Sequence, residues 1–400
     1  MRILRESFAV VERRAEHAVK FFYSHLFWHN PAIRELFPPS AEDMERQRDR
    51  LFASLTHVIA HLDEDTVIPY LRELGRDHRK FLIRPEHYAA VGASLLAALA
   101  EASGAAWTPV VEKAWGEAYQ LIADTMTAGA AEGGDPPWWD AEIVRHLQYG
   151  EDIGVLTLRP RQPLPYRPGQ YVSVGSDRVP RTWRTYSLGN APRADHTVDL
   201  HISRIEQGRL SPALVREVRP GETLRLGAPG GRMVLRRDGR PISMIVAGTG
   251  WAPVRAMLEE LAERPPDQDV RLFAVARDQA HLYDRPLMEE FAEAFGWLSV
   301  TYITPAPGRH RNQATDRLAT ALSTRGLWPD HDVYLSGPPL FIERTALLLE
   351  ELGAPPGRIF HDAVPAGGAG RSRPVGFGEW FLNPPDLHWH NPSGRAPRRG

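Results

Sequence analysis

The chain contains no cysteine in its 400 residues. Disulfides, thiolate catalysis and cysteine-ligated zinc or iron–sulfur clusters are therefore excluded, and a metal site inside the protein has to use histidine or carboxylate ligands. This absence agrees with a reducing compartment. A strong charge of either sign is also lacking, because the formal net charge is -2. The charge balance therefore gives no reason to expect nucleic acid or an anionic membrane as a partner.

Long apolar runs and a targeting signal are absent as well. No run approaches the roughly 20 apolar residues that cross a bilayer, and the first residues, Met1 to Glu6, lack the core of a signal peptide. We therefore expect no membrane span and a cytoplasmic location. With 42% hydrophobic and 24% charged residues, a chain of this length is expected to form roughly two to four globular domains.

The first third of the chain has a helical pattern. Apolar residues recur at three- and four-residue steps from Phe8 to Leu26, and Asn30-Pro31 then breaks the pattern. Further helices are predicted over residues 41–61, 66–80, 85–103 and 109–128. Because no strand signal interrupts them, residues 1–130 are predicted to form an all-α domain, followed by a linker rich in glycine and proline.

The pattern changes twice after this linker. Residues 138–238 contain short strands, as in an antiparallel β-barrel, and residues 239–365 alternate strands with helices, as in an α/β domain with a parallel sheet. The predicted fold class is therefore multidomain: all-α, then antiparallel β-barrel, then α/β. Residues 366–400 lack a core pattern and are expected to be a disordered tail.

One histidine in the helical domain has the neighbourhood of a haem ligand. His78 stands near the end of a predicted helix, and Gln47 and Leu51 are four residues apart, so they share one face of another helix. Phe37 lies at an abrupt corner before two prolines. Two helices with these side chains could enclose a flat porphyrin, with imidazole on one face and a polar side chain on the other.

Residues 5–128 resemble the globin part of flavohaemoglobins. The matching residues are Phe22-Tyr23-Ser24-His25-Leu26-Phe27, Asn30-Pro31, Leu36-Phe37-Pro38, Gln47, His78, Pro85-Glu86-x-Tyr88 and Ala114-Trp115-Gly116-x-Ala118-Tyr119. The resemblance implies that His78 is the proximal iron ligand of haem b and that Phe37 packs on the haem. It places Tyr23, Gln47 and Leu51 in the distal pocket, and Tyr88 beside the proximal imidazole. A phenol in such a pocket can donate to bound dioxygen.

This chain departs from the family pattern on the proximal side. Ala130 stands where the family has a glutamate, and Glu132 could replace that glutamate only if the last globin helix ends at Gly129. Asp77 precedes the ligand where relatives often carry a lysine. These departures put in question how strongly the iron is activated, but they do not affect the expectation of haem binding.

The second segment contains a candidate flavin site at Arg184-Thr185-Tyr186-Ser187. We predict strands at Val172–Val174 and Val198–Ser203, with Pro180–Thr185 as a loop leading into a strand. Arg184 can pair with a diphosphate, Tyr186 can lie against an isoalloxazine ring, and Ser187 can bond a ring nitrogen. Alone, these four residues are weak evidence. The alternative is that they and the motifs around them are only turn glycines and a core tyrosine of another small barrel.

The surrounding motifs favour the flavin interpretation. They are Arg167-Pro168-Gly169-Gln170-Tyr171 upstream, and Gly208-x-x-Ser211 and Pro229-x-Gly231 downstream. In this order and spacing they resemble the FAD domain of the ferredoxin reductase type. The resemblance implies that Tyr171, Thr185, Gly208 and Ser211 also contribute to FAD binding.

The third segment contains a candidate dinucleotide site. The sequence Ala247-Gly248-Thr249-Gly250-Trp251-Ala252-Pro253 joins a predicted strand, residues 241–246, to a helix predicted over residues 254–263. Glycines at such a corner let a diphosphate approach backbone N–H groups at the helix N-terminus. Together with Ser336-Gly337-Pro338-Pro339, this stretch resembles the pyridine-nucleotide domain of the same reductases.

Specificity for NADH or NADPH stays open. A strand is predicted over residues 271–277, with Arg277 at its end within possible reach of the adenosine ribose. Ser336 replaces a common cysteine, and Val364 stands where flavohaemoglobins usually place an aromatic residue beside the flavin. A less covered flavin would be more open to direct oxidation by dioxygen.

Together these expectations describe an electron path from NAD(P)H through FAD to haem. In the resembling family, haem-bound dioxygen then reacts with nitric oxide to give nitrate, so the predicted function is nitric oxide dioxygenase, with dioxygen and nitric oxide as substrates. Two alternatives remain. One is an oxygen- or redox-sensing globin that carries its own reductase, and the other is a flavin-dependent NAD(P)H oxidase or reductase. We expect a monomer.

Overall fold

The structure is a computed structural model, which describes residues 2–61, 63, 67–132, 134–305, 312–325 and 328–362. The predictions made for Val364 and for the tail 366–400 lie outside the described residues. A helical domain, a curled antiparallel sheet and a parallel sheet with helices follow one another along the chain. This order confirms the predicted multidomain fold class.

The helical domain contains six α-helices in its described residues. They are α1 (Arg2–Glu12), α2 (Ala15–His29), α3 (Ala41–His61), α4 (Val67–His78), α5 (Pro85–Ser103) and α6 (Pro109–Ala131), and a short 3₁₀ turn, Arg79–Phe81, extends α4. The predicted bounds of α3 and α5 are confirmed. The prediction of one helical pattern from Phe8 to Leu26 was wrong, because the chain breaks between Glu12 and Ala15.

Glycines bring α4 and α6 into backbone contact. A Cβ added to Gly75 would lie 2.0 Å from the Met126 carbonyl oxygen, and one added to Gly129 would lie 2.2 Å from the Arg72 carbonyl oxygen. Larger side chains at these positions would therefore force the two helices apart. The close crossing fixes the C-terminal end of α4, where His78 is located.

The helix α5 is more apolar than the sequence analysis indicated. Within the stretch Pro85–Ala106, a window of 18 residues has a mean hydropathy of 1.4, so the helix is long and apolar enough to cross a membrane by length and composition. The expectation that no such run exists was therefore wrong. In the fold, Ala98, Leu99 and Ala102 of this helix are buried, which is the usual reason for an apolar helix in a globin-like core.

The second domain is a six-stranded antiparallel sheet with the order β4-β3-β6-β1-β2-β5. Its strands are β1 (Trp139–Tyr149), β2 (Ile153–Pro160), β3 (Tyr171–Ser176), β4 (Val179–Ser187), β5 (Val198–Ser203) and β6 (Thr223–Leu226), and one turn of helix, α7 (Leu210–Pro212), follows β5. A bridge between Leu188 and Leu200 joins the two edges, so the sheet curls around its apolar interior as a barrel does. The predicted loop at Pro180–Thr185 is part of the continuous strand β4.

The third domain is a parallel sheet with the order β11-β10-β7-β8-β9. The strands are β7 (Ile242–Ala247), β8 (Val270–Val275), β9 (Leu298–Ile303), β10 (Asp332–Ser336) and β11 (Ile359–Phe360), and the helices are α8 (Trp251–Glu263), α9 (Arg285–Ala294), α10 (Asn312–Arg325) and α11 (Pro339–Glu351). The central strands are buried on both faces, as expected when helices cover a parallel sheet.

Candidate active site

A cavity of about 280 Å³ lies between the helical domain and the barrel. A single water molecule requires only about 10–15 Å³, so the cavity has room for a ligand much larger than water. Its lining is mainly apolar and aromatic. The described residues around it include Phe22, Tyr23, Phe37, Gln47, Leu51, Leu74, His78, Phe81, Tyr88, Val91, Tyr119 and Met126 of the helical domain, and Arg181, Thr182, Trp183 and Arg184 of the barrel. All six haem-site residues named from the sequence therefore line one cavity.

His78 has the orientation of a metal ligand. Its Nδ1 lies 2.8 Å from the Leu74 carbonyl oxygen, so Nδ1 carries the proton and donates to this carbonyl. The lone pair of Nε2 is then available to a metal. Burial lowers the pKa of His78 and outweighs the opposing charge of Asp77, which favours the neutral ring that ligates iron. The donor, the shape and the apolar wall fit haem.

Tyr23 and Phe37 belong to an aromatic group on the cavity wall. Their ring centroids are 5.6 Å apart in an edge-on arrangement, and Phe27 lies 5.2 Å from Phe37. The Tyr23 hydroxyl donates to the backbone carbonyl of Gln47 at 3.2 Å. Donation from Tyr23 to a gaseous ligand therefore requires its O–H to turn away from this carbonyl.

The tyrosine pair Tyr88 and Tyr119 closes another part of the wall. The Tyr119 hydroxyl donates to the Tyr88 backbone carbonyl, and burial raises the pKa of Tyr88 to about 12. Tyr88 therefore stays a neutral phenol at physiological pH. Glycine at position 92 is required because a Cβ there would lie 2.3 Å from the Tyr119 ring.

Glu132 does not replace the glutamate that the family places on the proximal side. The helix α6 continues to Ala131 instead of ending at Gly129, so the condition set for that replacement is not met. The Glu132 carboxylate instead lies 2.8 Å from Arg72 and 3.6 Å from Arg76 on the surface of α4. Its contacts are those of a surface ion pair.

The candidate flavin segment lies on β4, at the edge of the barrel sheet. Arg184, Thr185, Tyr186 and Ser187 are all half-buried, and Arg184 Nη1 donates to the Trp183 carbonyl at 2.9 Å. In the register of β3 and β4, Tyr186 and Ser187 pair with Val172 and Tyr171. The segment therefore has one end at the haem cavity and the other beside Tyr171.

A glycine loop packs directly against the ring of Tyr171. Gly231 has a φ of +98°, and a Cβ on it would lie 2.8 Å from the Tyr171 ring and 2.4 Å from Asp362 Oδ2. The tyrosine ring and the loop therefore approach closely only because the glycine lacks a side chain. The FAD role of Tyr171 stays a prediction.

Asp362 is a candidate site residue that the sequence analysis missed. Its carboxylate accepts hydrogen bonds from the backbone N–H of Arg232 at 2.8 Å and of Met233 at 3.4 Å. Burial raises its pKa to about 6, and the charge of Glu73 on α4 contributes to the rise. Asp362 therefore lies where the three domains meet. An acid two residues after the last apolar strand was the signal that could have identified it.

The Gly208-x-x-Ser211 motif forms a local turn. The Ser211 hydroxyl accepts from the backbone N–H of Ile205 at 3.0 Å, and a Cβ on Gly208 would lie 3.1 Å from that hydroxyl. The structure thus gives both residues a role in shaping the loop. Their contribution to FAD binding stays a prediction.

The dinucleotide site predicted from the sequence lies where two adjacent strands end. The loop after β7 contains Gly248, Thr249 and Gly250, and the loop after β10 contains Gly337 and Pro338. A Cβ on Gly250 would lie 2.3 Å from the Ser336 carbonyl oxygen, so the loops touch through backbone. Their position at the carboxyl edge of a parallel sheet, beside the N-terminus of α8, suits a diphosphate.

Two details of that prediction need correction. The side chains of Trp251, Ala252 and Pro253 are buried in the domain core, with Trp251 Nε1 donating to Asp284 at 2.6 Å. Only their backbone remains to contact a nucleotide. Arg277 lies 2.8 Å from Asp152 of the barrel, so in this structure it joins two domains and does not stand free for a ribose.

A buried charge cluster joins the barrel to the third domain. Asp199, which is fully buried, accepts from Thr157 at 2.7 Å and from Arg193 at 2.8 Å, and Arg255 of α8 lies 3.4 Å away. Although burial opposes it, these donors hold the pKa of Asp199 below its usual value. Glu259 of α8 accepts from the backbone N–H of Ala191 at 2.8 Å, so the two domains are linked through satisfied polar groups.

His201 lies beside this cluster. Its Nδ1 is 2.6 Å from the Tyr283 hydroxyl, and Arg255 Nη1 is 3.3 Å from its Nε2. Because the guanidinium can only donate, Nε2 accepts and the proton is on Nδ1. Burial, reinforced by Arg255, lowers the pKa of His201 to about 3. The ring is therefore neutral in the folded protein at neutral pH.

Comparison with known proteins agrees with each part of this architecture. The globin family profile matches residues 20–126, the oxidoreductase FAD-binding domain matches residues 141–235, and the oxidoreductase NAD-binding domain matches residues 244–346. The chain is 31% identical over 392 residues to the flavohemoprotein of Chromobacterium violaceum, covering 90% of this chain and 96% of that protein. It is 27% identical over 386 residues to the flavohemoprotein of Bacillus subtilis, covering 90% and 95%.

A solved structure has the same fold over nearly the whole chain. The flavohemoglobin of Malassezia yamatoensis, crystallised with bound FAD and haem, matches with a TM-score of 0.73 and 22% identity, covering 90% of this chain and 96% of that one. Fold and site thus define a haem–flavin oxidoreductase, in which a globin is fused to FAD- and NAD-binding domains. The chain belongs to the flavohemoprotein family.

Proposed function

We propose that this protein is an NAD(P)H-dependent nitric oxide dioxygenase, which converts nitric oxide and dioxygen to nitrate. The observation that carries the proposal is the haem cavity itself. Its wall combines His78 and the Tyr23–Gln47 pair of the globin domain with Arg184 at the start of the flavin segment. A gas-binding centre and a flavin site therefore share one boundary, as internal electron supply requires.

The cofactors have distinct tasks in this proposal. When bound, haem would supply an iron centre for dioxygen, and FAD would supply the conversion of a two-electron donor, the nicotinamide, into single electrons. His78 holds the iron through Nε2, with its orientation fixed by the Leu74 carbonyl. Phe37 and Leu51 exclude water from the cavity, and Tyr23 and Gln47 supply polar groups to it.

The reductase domains supply the electrons. We assign Arg184, Thr185, Tyr186 and Ser187 on β4 to FAD binding, with Tyr171 on the adjacent strand. The glycine loops after β7 and β10 hold the dinucleotide diphosphate through backbone N–H groups. The buried cluster of Asp199, Arg255 and Glu259 links the barrel to the NAD-binding domain, and would thereby keep the flavin and nicotinamide sites in a fixed relation.

Product analysis tests this function. Each NAD(P)H supplies two electrons, and conversion of one nitric oxide with one dioxygen to nitrate consumes one electron, so the nitrate yield should be about two per NAD(P)H. A sensing globin or a flavin-dependent oxidase would give almost no nitrate beyond the uncatalysed background. A yield near zero with both cofactors loaded would contradict the proposal.

The matched control is His78→Ala. It removes the only side chain assigned as iron ligand and leaves the flavin and dinucleotide segments intact. Nitrate formation should be lost, whereas reduction of an artificial electron acceptor by NAD(P)H should persist, because that reaction requires only the reductase domains.

A further inference from the structure

One lysine of the globin domain is buried against the barrel. The chain has 48 lysines and arginines in total, of which only Lys20, Lys80 and Lys113 are lysines. The side chains of Lys20 and Lys113 are 57% and 79% exposed, whereas that of Lys80 is 1% exposed. A lysine is almost never fully buried unless it is paired. The burial of Lys80 therefore points to a specific role.

The ammonium group of Lys80 bonds to both domains. Its Nζ donates to Asp77 Oδ1 at 2.6 Å within the globin domain and to Ser173 Oγ of β3 at 2.9 Å. Ser173 is 4% exposed. The contact with Ser173 is thus a buried hydrogen bond across a domain boundary, and its donor is charged. Charge-assisted hydrogen bonds are stronger than neutral ones.

The barrel is shaped to receive this lysine. A Cβ added to Gly227 would lie 2.2 Å from Ser173 Oγ and 3.6 Å from Lys80 Cδ. Only glycine therefore leaves the serine hydroxyl free to face the ammonium. Lys80 Nζ also lies 5.6 Å from the centre of the Trp183 ring and 5.2 Å from that of Phe81, within the range of cation–π attraction.

These two aromatic rings line opposite sides of the domain boundary. Phe81 and Trp183 both border the haem cavity, and their centroids are 6.5 Å apart in an edge-on arrangement. Phe81 comes from the globin domain, and Trp183 immediately precedes Arg184 of the flavin segment. The position of Lys80 between them connects the wall that carries His78 with the strand assigned to FAD.

We propose that Lys80 is a positioning residue for internal electron transfer. Through Ser173 and Trp183 it holds the flavin strand against the haem cavity, and Asp77 holds the lysine in place. The reaction it serves is the passage of one electron from reduced flavin to ferric haem, so that the flavin is oxidised and the iron is reduced. The inference rests on the electron path of the proposed function but not on the identity of the gas.

Amine footprinting tests the contact without any enzyme assay. The holoprotein is treated with an amine-reactive acylating reagent, and the three lysines are followed by peptide mass spectrometry. Lys80 should react at least about tenfold more slowly than Lys20 and Lys113, because it reacts only when the boundary opens. Ser173→Ala, a change confined to the barrel, should raise the Lys80 rate by about tenfold, since it removes a hydrogen bond to a charged group, and should leave the other two rates unchanged.

Rapid mixing tests the consequence for electron transfer. Oxidised holoprotein is mixed with excess NADH without air, and flavin bleaching and haem reduction are recorded separately. In Lys80→Met the flavin phase should be unchanged. The haem phase should be slower by about tenfold or more, because the rate of the transfer depends steeply on how the donor and acceptor are positioned. The double variant Asp77→Asn/Lys80→Met should also combine an unchanged flavin phase with a slower haem phase. It avoids leaving the Asp77 carboxylate buried without its lysine. The control Lys113→Met should behave as wild type.

Two results would overturn the inference. One is an equal Lys80 labelling rate in wild type and Ser173→Ala. The other is a haem phase in the double variant that equals that of wild type after correction for haem content. Neither readout involves nitric oxide, so failure of the dioxygenase proposal would be seen separately, in the nitrate yield.

Discussion

Protonation of His201 should weaken the contact between the barrel and the NAD-binding domain. The ring is 4% exposed and accepts a hydrogen bond from Arg255. A second proton on Nε2 would face a guanidinium in a buried site, where no solvent screens the repulsion. His201→Gln keeps a polar side chain of similar length that can accept from Arg255 and cannot acquire charge.

The size of the effect follows from linkage. Burial, with Arg255 contributing, lowers the pKa of His201 from 6.5 to about 3 in the folded protein. The unfolded state therefore binds the proton first as pH falls, so the stability that the neutral ring contributes is complete above pH 6.5 and is lost towards pH 3. Between pH 7.5 and pH 4.5 this single group should lower the free energy of unfolding by about 3 kcal/mol.

Denaturant titrations at several pH values measure this loss. The free energy of unfolding is determined for wild type and His201→Gln from the fluorescence transition of the reductase part, and the difference between them is plotted against pH. The contributions of all other groups cancel in this difference. The control is His17→Gln, because His17 is 58% exposed on the globin surface, and it should follow wild type. A wild-type minus His201→Gln difference that is constant from pH 7.5 to 4.5 would refute the reasoning.

Three further predictions concern the other sites. Tyr23→Phe should speed dioxygen release from the reduced protein by about ten- to a hundredfold, because a hydrogen bond to a charged oxygen is worth about 1.5–3 kcal/mol. An unchanged release rate in stopped flow would show that Tyr23 does not donate a hydrogen bond to bound dioxygen. Gly129→Ala should destabilise the globin domain by about 1–3 kcal/mol, because the added methyl group overpacks against Arg72. The control is Gly116→Ala on the same helix, where a Cβ meets nothing within 4 Å; this variant should be neutral or stabilising by up to about 1 kcal/mol. Thermal unfolding followed by far-UV circular dichroism measures both variants, and equal midpoints would contradict the close crossing of α4 and α6. Asp362→Asn should abolish a stability loss of about 2 kcal/mol as pH rises from 4 to 6, because the raised pKa of about 6 favours the protonated carboxyl in the fold. Parallel pH profiles of unfolding free energy for the variant and wild type would show that the carboxyl is not buried as described.

Local patterns predicted most of the helical domain. The bounds of α3 and α5 follow from apolar periodicity, with Pro85 at the first position of α5. The break at Arg13 and Arg14 was missed because the apolar period continues through it. Periodicity reports which face is buried and not whether the backbone turns between two helices.

The strand β4 shows how tertiary context overrides a local signal. Pro180 favoured a loop, yet it lies within β4, which is the outermost strand of its sheet. A proline is tolerated there because the register of β3 and β4 skips it, between Val179 opposite Ser176 and Trp183 opposite Gly175. The local sequence did not decide between a loop and an edge strand, because a proline is compatible with both.

The site was predictable to the extent that its residues lie in recognisable motifs. His78, Tyr23, Phe37, Gln47 and Leu51 line one cavity, as expected. Contacts between domains could not be predicted, because they join residues that are distant in the chain. The bond from Lys80 to Ser173 spans 93 residues, and the cluster around Asp199 depends on the docking of two folded domains.

The central claim is that a flavin in the barrel reduces a haem in the globin of the same chain. The most direct test is to add NADH without air to protein loaded with both cofactors and to record the visible spectrum. The account predicts that the flavin bands bleach and that the ferric haem spectrum is replaced by the ferrous one. A flavin that bleaches while the iron stays ferric would contradict it.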